Sequence, residues 1–229
     1  MSTCPWESYA PASISFCEAR LCAWVVEPSN AWSNLAYLAC GVVILATLAR
    51  AHGVLRLVGA AAIAIGLGSF AFHGTGTRIG ELVDVSAMYL LSGLALVFAL
   101  RRLRPLSTGQ LVAVYLAIVG ASVGLMVATG NNGIFMFAAQ ITLGIIAEMY
   151  LYVARPRATS YRAQQGMIVS FTIAFLIWNA DKWSLLCSPD NHLVTGHAVW
   201  HVLTAVAIWC FARQQALPLA PAVGSPVSV

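Results

Sequence analysis

The sequence predicts an all-α membrane protein, a bundle of seven transmembrane helices, and three observations carry that prediction. Hydrophobic residues make up 60% of the 229 and charged residues only 9%, against roughly 45–50% apolar and 25% charged in soluble domains. The mean hydropathy is +0.81. Apolar stretches near the length that crosses a bilayer, about 20 residues, recur at 32–49, 57–73, 82–100, 108–129, 133–153, 167–186 and 193–213. Seven spans leave no room for a soluble domain, so a single domain over residues 1–215 is expected, with the bilayer as its partner. No basic patch interleaved with aromatics is present, which argues against a nucleic-acid partner.

Residues 1–31 precede the first span. They carry Pro5, Pro11, Glu7, Glu18 and Glu27 and lack the basic start and apolar run of a cleavable signal, so the first span is expected to be permanent. Arg50 and Arg56 follow it. Span two closes on Ser69 and His73 in GSFAFHG, and span three opens with Asp84 in GELVDVSAMY. Arg101, Arg102 and Arg104 fill the next connection. Span five holds Glu148, which either snorkels or pairs with an arginine of the following loop, where Arg155, Arg157 and Arg162 lie. Asp181 and Lys182 sit near the end of span six, where Asp181 serves a ligand histidine or forms an interfacial ion pair. Span seven carries His197 and His201 in GHAVWHVLT and ends at Arg213. Residues 216–229, rich in Pro, Ala, Ser and Val, read as a disordered cytoplasmic tail.

Nine basic residues fall on one side of these spans, and only Arg20, Arg78 and Lys182 on the other. The positive-inside rule then puts the N-terminus outside, in periplasm or lumen, and the C-terminus in the cytoplasm. The membrane is a bacterial inner membrane, or that of the endoplasmic reticulum or Golgi in a eukaryote. Of six cysteines, Cys4, Cys17, Cys22 and Cys187 lie on the outer side, where an oxidising compartment allows disulfides. Four cysteines admit three connectivities, and spacing does not choose among them. Cys40 and Cys210 lie within spans as small packing residues.

Ionisable groups inside membrane segments are costly and mark functional sites. Residues four apart share a helix face, so Ser69 stacks with His73 and His197 with His201, and with Asp84 all five approach the outer face. Three imidazoles from two helices suit a catalytic zinc, which takes three protein ligands and leaves a fourth position for water. Asp84 is placed to move a proton and Ser69 to donate a hydrogen bond to a developing oxyanion. A haem pair or a proton relay are the competing readings of the histidines. His52 and His192 fall in loops and read as solvated.

The residues just named, with Phe16-Cys17-Glu18, the EPSNAWSN segment (Glu27, Asn30, Ser33 and Asn34), WNAD (Trp178, Asn179 and Asp181) and HAVWH, resemble the alkaline ceramidase family. That family belongs to a wider group of seven-span membrane hydrolases that includes the progestin and adiponectin receptor type proteins. The resemblance runs nearly the full chain. It implies zinc held by His73, His197 and His201, Asp84 as general acid/base and Ser69 beside the reacting carbonyl. It implies hydrolysis of a ceramide or other N-acyl lipid to a sphingoid base and a fatty acid, with Trp200 lining the lipid cleft or anchoring in the aromatic belt. It also implies a Cys17–Cys187 disulfide, leaving Cys4 and Cys22 as a second pair.

The same resemblance implies a calcium site in the N-terminal segment, to which Glu18 and Glu27 would contribute. Ser15 stands where an Asp is typical and Arg20 where an Asn is typical, which removes side-chain oxygens that Ca²⁺ needs. The reading adopted is that Arg20 supplies, in place of the ion, the positive charge that holds Glu18 and Glu27 together. Two other functions compete with the amidase: a seven-span receptor or sensor with a structural zinc, and a related lipid ester hydrolase.

Overall fold

The computed structural model describes residues 4–154 and 162–217. Arg155, Arg157 and residues 218–229 of the expected tail lie outside the described residues. Helices α1 (Pro28–Trp32), α2 (Leu35–Ala46) and α3 (Leu48–Ala51) are pieces of one apolar run. Pro28 opens α1, where its missing N–H costs nothing. Thr47 sits at the α2–α3 break and donates its hydroxyl to the Val43 carbonyl at 2.6 Å.

A two-residue turn, Gly76-Thr77, joins α4 (Leu55–Thr75) to α5 (Arg78–Leu103). Gly76 ends α4 at a left-handed φ of 63°, a conformation that side chains with a Cβ resist. The Thr77 hydroxyl accepts the Gly80 N–H at 3.2 Å and starts α5. Ser107 and Gln110 form a capping box at the head of α6 (Thr108–Thr129). The chain continues through α7 (Ile134–Ala154), α8 (Arg162–Lys182) and α9 (Gly196–Ala216). Thr195 caps α9 by accepting the Ala198 N–H at 3.0 Å.

The described residues are all-helical apart from loops and one isolated bridge, Pro11 with Thr77. Five stretches are long and apolar enough to cross a membrane: Pro28–Ala51, Leu55–Thr75, Arg78–Leu103, Thr108–Thr129 and Ile134–Val153. The chain is accordingly a membrane protein. Helices α8 and α9 match them in length, at 21 residues each, but not in apolarity. Gln164, Ser170 and Asp181 on α8, and His197, His201 and Gln214 on α9, are polar and buried. The ends of these two helices also differ from the apolar stretches at 167–186 and 193–213. Polar residues 162–166 are helical although hydropathy excludes them, and α8 stops before Ser184, which takes a φ of 56°.

Helices α2, α4, α5 and α9 surround the core, where Tyr37, Ile44, Leu55, Val58, Ile65, Leu94, Phe98, Ile208 and Phe211 pack together. Outside this group, α6 and α7 pack on α5, and α8 packs on α9 rather than on its chain neighbour α7. Large apolar side chains such as Val112, Leu116, Leu143, Ile146 and Leu176 face outward, as lipid-facing surfaces do. Ser92 on α5, Gln140 on α7 and Ser122 on α6 hydrogen-bond to one another in the interior, a polar joint of the kind that holds helices together in lipid.

At the end of the bundle away from the N-terminal segment, Glu148 on α7 takes the Arg102 guanidinium of α5 at 2.8 and 3.1 Å and the Gln214 amide of α9 at 2.9 Å. Among the described residues the charged partner of Glu148 is Arg102 on α5. That pairing keeps both charges inside the bundle, and neither snorkels.

The N-terminal segment folds over the α4–α5 turn. Ala12 and Val26 donate backbone N–H bonds to Gly76 and Gly74, and Glu27 to His73. Ser13 gives both its N–H and its hydroxyl to Glu81, at 2.7 and 2.6 Å. Disulfides Cys4–Cys22 and Cys17–Cys187 close it, the second onto the loop between α8 and α9.

Helices α4 and α5 touch backbone to backbone. A methyl added at Gly80 would lie 2.8 Å from Phe72 Cα and 2.9 Å from the Ala71 carbonyl oxygen. Gly80→Ala is therefore expected to destabilise the protein by about 1–3 kcal/mol, read as a lower melting temperature in detergent. An unchanged melt would mean that this contact can widen freely.

Candidate metal centre

His73 occupies the last turn of α4, and His197 and His201 occupy the first two turns of α9. The turn geometry fixes their depth: Gly76 stops α4 just past His73, and the Thr195 cap starts α9 just before His197. All three rings are buried, and one ring nitrogen from each lies within 4.8 Å of the others. His73 Nε2 and His197 Nε2 are 3.1 Å apart. Two nitrogens of one tetrahedral zinc stand about 3.3 Å apart at the usual bond length.

The other ring nitrogens decide which atoms can bind. Ser33 donates its hydroxyl proton to the Asn30 carbonyl at 2.9 Å, so its oxygen accepts from His201 Nδ1 at 2.8 Å. Glu27 accepts from His73 Nδ1 at 2.7 Å. Both bonds put the ring proton on Nδ1 and leave the Nε2 lone pair facing inward, the arrangement by which carboxylates and hydroxyls orient metal-binding imidazoles. His197 Nδ1 is buried and, among the described residues, has no hydrogen-bond partner. Phe16 instead stacks on that ring, centroids 3.6 Å apart and planes at 23°. Three neutral imidazoles converging from separate supports fit a divalent metal of the zinc type.

Ser69 lies one turn before His73, its hydroxyl 3.5 Å from His201 Nε2. Asp84, buried on α5, lies against Ser69. Asp84 is not in the ligand group; it stands beside the histidines without joining them. Trp200 packs on α8, between Trp178 and Phe171 at ring-centroid distances of 6.0 and 5.7 Å, so it belongs to an aromatic seam between α8 and α9.

Glu18 and Glu27 do not share a site. Glu27 binds Arg20 Nε at 3.0 Å, His73 and the Asn30 amide. Burial raises its carboxyl, but hydrogen bonds from His73, Asn30 and Arg20 outweigh this and leave it below the ordinary carboxylate value. Glu18 accepts the Ser29 and Asn30 N–H groups, each at 2.9 Å, and pairs with His192 Nδ1 at 3.0 Å. Two readings are thereby corrected. Arg20 holds Glu27 but not Glu18, which the first turn of α1 satisfies, and His192 is a partner rather than a solvated loop residue. With hydrogen-bond donors on both carboxylates, this segment does not fit calcium.

Of the two readings of Asp181, the ion pair with Lys182 does not form, and the side chain serves a candidate ligand histidine through its backbone: its two oxygens accept the N–H groups of His197 and Cys17, each at 3.1 Å. Lys182 lies over the Phe16 and Trp178 rings instead, 5.9 and 5.6 Å from their centroids. Glu81, unexposed and bound to Arg78 at 2.8 Å and to Ser13, escaped the sequence reading because Ser13 lies far off in the N-terminal segment. Its place in the first turn after a threonine cap was the available signal.

A protein-family model described as Ceramidase matches residues 8–217, nearly the whole chain. No curated protein matches it.

Removing the carboxylate that orients His73 has a defined consequence. Glu27→Gln is expected to weaken metal binding about 10–100-fold, measured by competition with a chelator of known affinity. Wild-type affinity in that variant would show that His73 is oriented by packing alone.

Proposed function

The chain belongs to the ceramidase family, and on that premise we propose that it is a zinc-dependent amidase of the membrane, cleaving ceramide or a related N-acyl lipid into a sphingoid base and a fatty acid. One observation carries the reading: the inward-facing nitrogens of His73, His197 and His201 converge at a point that Ser69 and Asp84 border but do not fill. A structural zinc normally has four protein ligands. Among the described residues the ligand group stops at three, which favours chemistry over a receptor with a structural ion.

His73, His197 and His201 would hold the ion. The chemistry it supplies when bound is polarisation of a carbonyl and acidification of water. The protein does the rest. Asp84 accepts the proton of the attacking water as its oxygen bonds to the amide carbon. Ser69 donates its hydroxyl hydrogen to the carbonyl oxygen while negative charge builds there. As the carbon–nitrogen bond breaks, Asp84 returns the proton to the leaving amine. The water oxygen ends in the carboxylic acid, and its proton on the amine.

The architecture suits a substrate that never leaves the bilayer. Helices α8 and α9 complete a seven-span bundle with the N-terminus outside and the C-terminus cytoplasmic, in line with the bias of arginines to one side. The metal centre then lies shallowly beneath the outer headgroups, at the depth of a ceramide amide. Acyl chains reach it between helices, and the seam of Phe171, Trp178 and Trp200 is an apolar wall for them. The N-terminal segment and its disulfides face the periplasm or lumen.

The test is release of fatty acid from a panel of N-acyl sphingoid lipids in detergent, with zinc quantified in the same samples. Asp84→Asn should lower kcat about 10²–10⁴-fold and keep its zinc, while His197→Ala should lose both. Stoichiometric zinc in a wild-type protein that hydrolyses no amide would refute the amidase.

A further inference from the structure

The three histidines are supported unequally. His73 leans on Glu27 and His201 on Ser33, but among the described residues the buried Nδ1 of His197 has no hydrogen-bond partner. Something else must hold it, because a ligand misplaced by a fraction of an ångström weakens a metal site. Two contacts from outside the histidine cluster bear on its place. Phe16 lies flat on the ring at 3.6 Å, and the backbone N–H of His197 is bound by Asp181.

Both contacts trace to one side chain. Asp181, 1% exposed, gives Oδ1 to the His197 N–H and Oδ2 to the N–H of Cys17, the residue after Phe16, each at 3.1 Å. Cys17 is in turn tied to Cys187 by a disulfide. The approach is close: a Cβ at Gly196 would lie 2.9 Å from Asp181 Cβ and 3.0 Å from Oδ1. Glycine at the first position of α9 is thus what admits the carboxylate. Lys182, the nearest cation in sequence, lies over aromatic rings and leaves Asp181 to the amides. Hydrogen bonds to a charged acceptor are the stronger kind, and an anion at a helix N-terminus is favoured by the helix dipole.

We infer that Asp181 is a positioning residue for the metal centre: one buried carboxylate sets both the backbone of His197 and the place of Phe16, the ring that holds the His197 imidazole from its open face. This rests on the metal-site half of the proposed function and does not need the substrate to be a ceramide. It assigns the N-terminal segment a part in metal binding, through Phe16, that the ligand set alone does not give it.

Asp181→Asn separates this role from bulk. The amide keeps one acceptor oxygen and turns an NH₂ toward an N–H, so one of the two bonds is lost at nearly constant volume. The full chain, stripped of metal in detergent, is titrated with cobalt(II), whose visible absorption reports the geometry of its ligands, and zinc affinity is read by chelator competition. Asp181→Asn is expected to bind about 10–100-fold more weakly than wild type, with a shifted cobalt band. Phe16→Leu should fall between the two, and Phe16→Tyr, which keeps the stack, should match wild type.

Thermal melts of the metal-free proteins show whether each variant folds, and if Asp181→Asn does not, the Phe16 pair decides. Wild-type affinity and spectrum in Asp181→Asn, or in Phe16→Leu where that pair decides, overturn the inference and leave the amidase reading intact. A wild type that binds metal, hydrolyses no amide and still loses affinity in Asp181→Asn ends the amidase reading and supports the inference. A wild type that binds no cobalt or zinc overturns both.

Discussion

Burying charge inside an apolar bundle is the constraint on which the rest of this structure depends, because an unpaired buried ion costs several kcal/mol even after relaxation. The molecule meets it carboxylate by carboxylate. Glu27 is answered by Arg20, His73 and Asn30; Glu81 by Arg78 and Ser13; Glu18 by two backbone amides and His192; Asp181 by two backbone amides. At the other end of the bundle Glu148 is answered by Arg102 and Gln214. These pairings tie helices together where close packing alone would let them slide, and they explain why the polar residues of α8 and α9 point inward.

The N-terminal segment exists to satisfy this constraint at one end. A non-helical stretch beside a membrane bundle must place its own N–H and C=O groups, and this one gives them to the α4–α5 turn and to acidic side chains of the helices. Its second disulfide extends the same hold to the loop between α8 and α9. The four segments that bring residues to the metal centre, namely α4, α5, α9 and the stretch that ends in Glu27, are thereby fixed to one another at the end where the histidines lie. At the opposite end, among the described residues, the Arg102–Glu148 pair joins α5 to α7, and Gln214 adds α9.

Much of this was legible in the sequence, for physical reasons that also mark the limit. Apolar runs foretold the positions of the long helices, since hydropathy is a local property. The spacing of Ser69 with His73 and of His197 with His201 placed each pair on one helix face, because four residues nearly complete a turn. The resemblance carried by Phe16-Cys17-Glu18 named Cys17 with Cys187, which spacing alone left open. What stayed hidden is long-range. Nothing local to Glu27 says that it will meet His73, which is 46 residues away, and nothing local to Asp181 says that its oxygens will reach Cys17. The reading of Arg20 failed on Glu18 for the same reason: backbone amides compete for carboxylates, and they carry no signature in the sequence.

Asp84 is the exception that gives the pattern its meaning. It is buried on α5, yet among the described residues no ion pair reaches it. Every other buried carboxylate described above has at least two donors, while Asp84 has the Ser69 hydroxyl beside it and the clustered histidines a short distance off. A group left so lightly held inside a bundle that elsewhere spends several donors on each acid is poorly explained as a brace. Perturbed, under-partnered carboxyls in enclosed sites are where proton transfer is found. The stationary carboxylates fix the frame, and the one they do not hold is the one that, in the proposed amidase, takes a proton and gives it back.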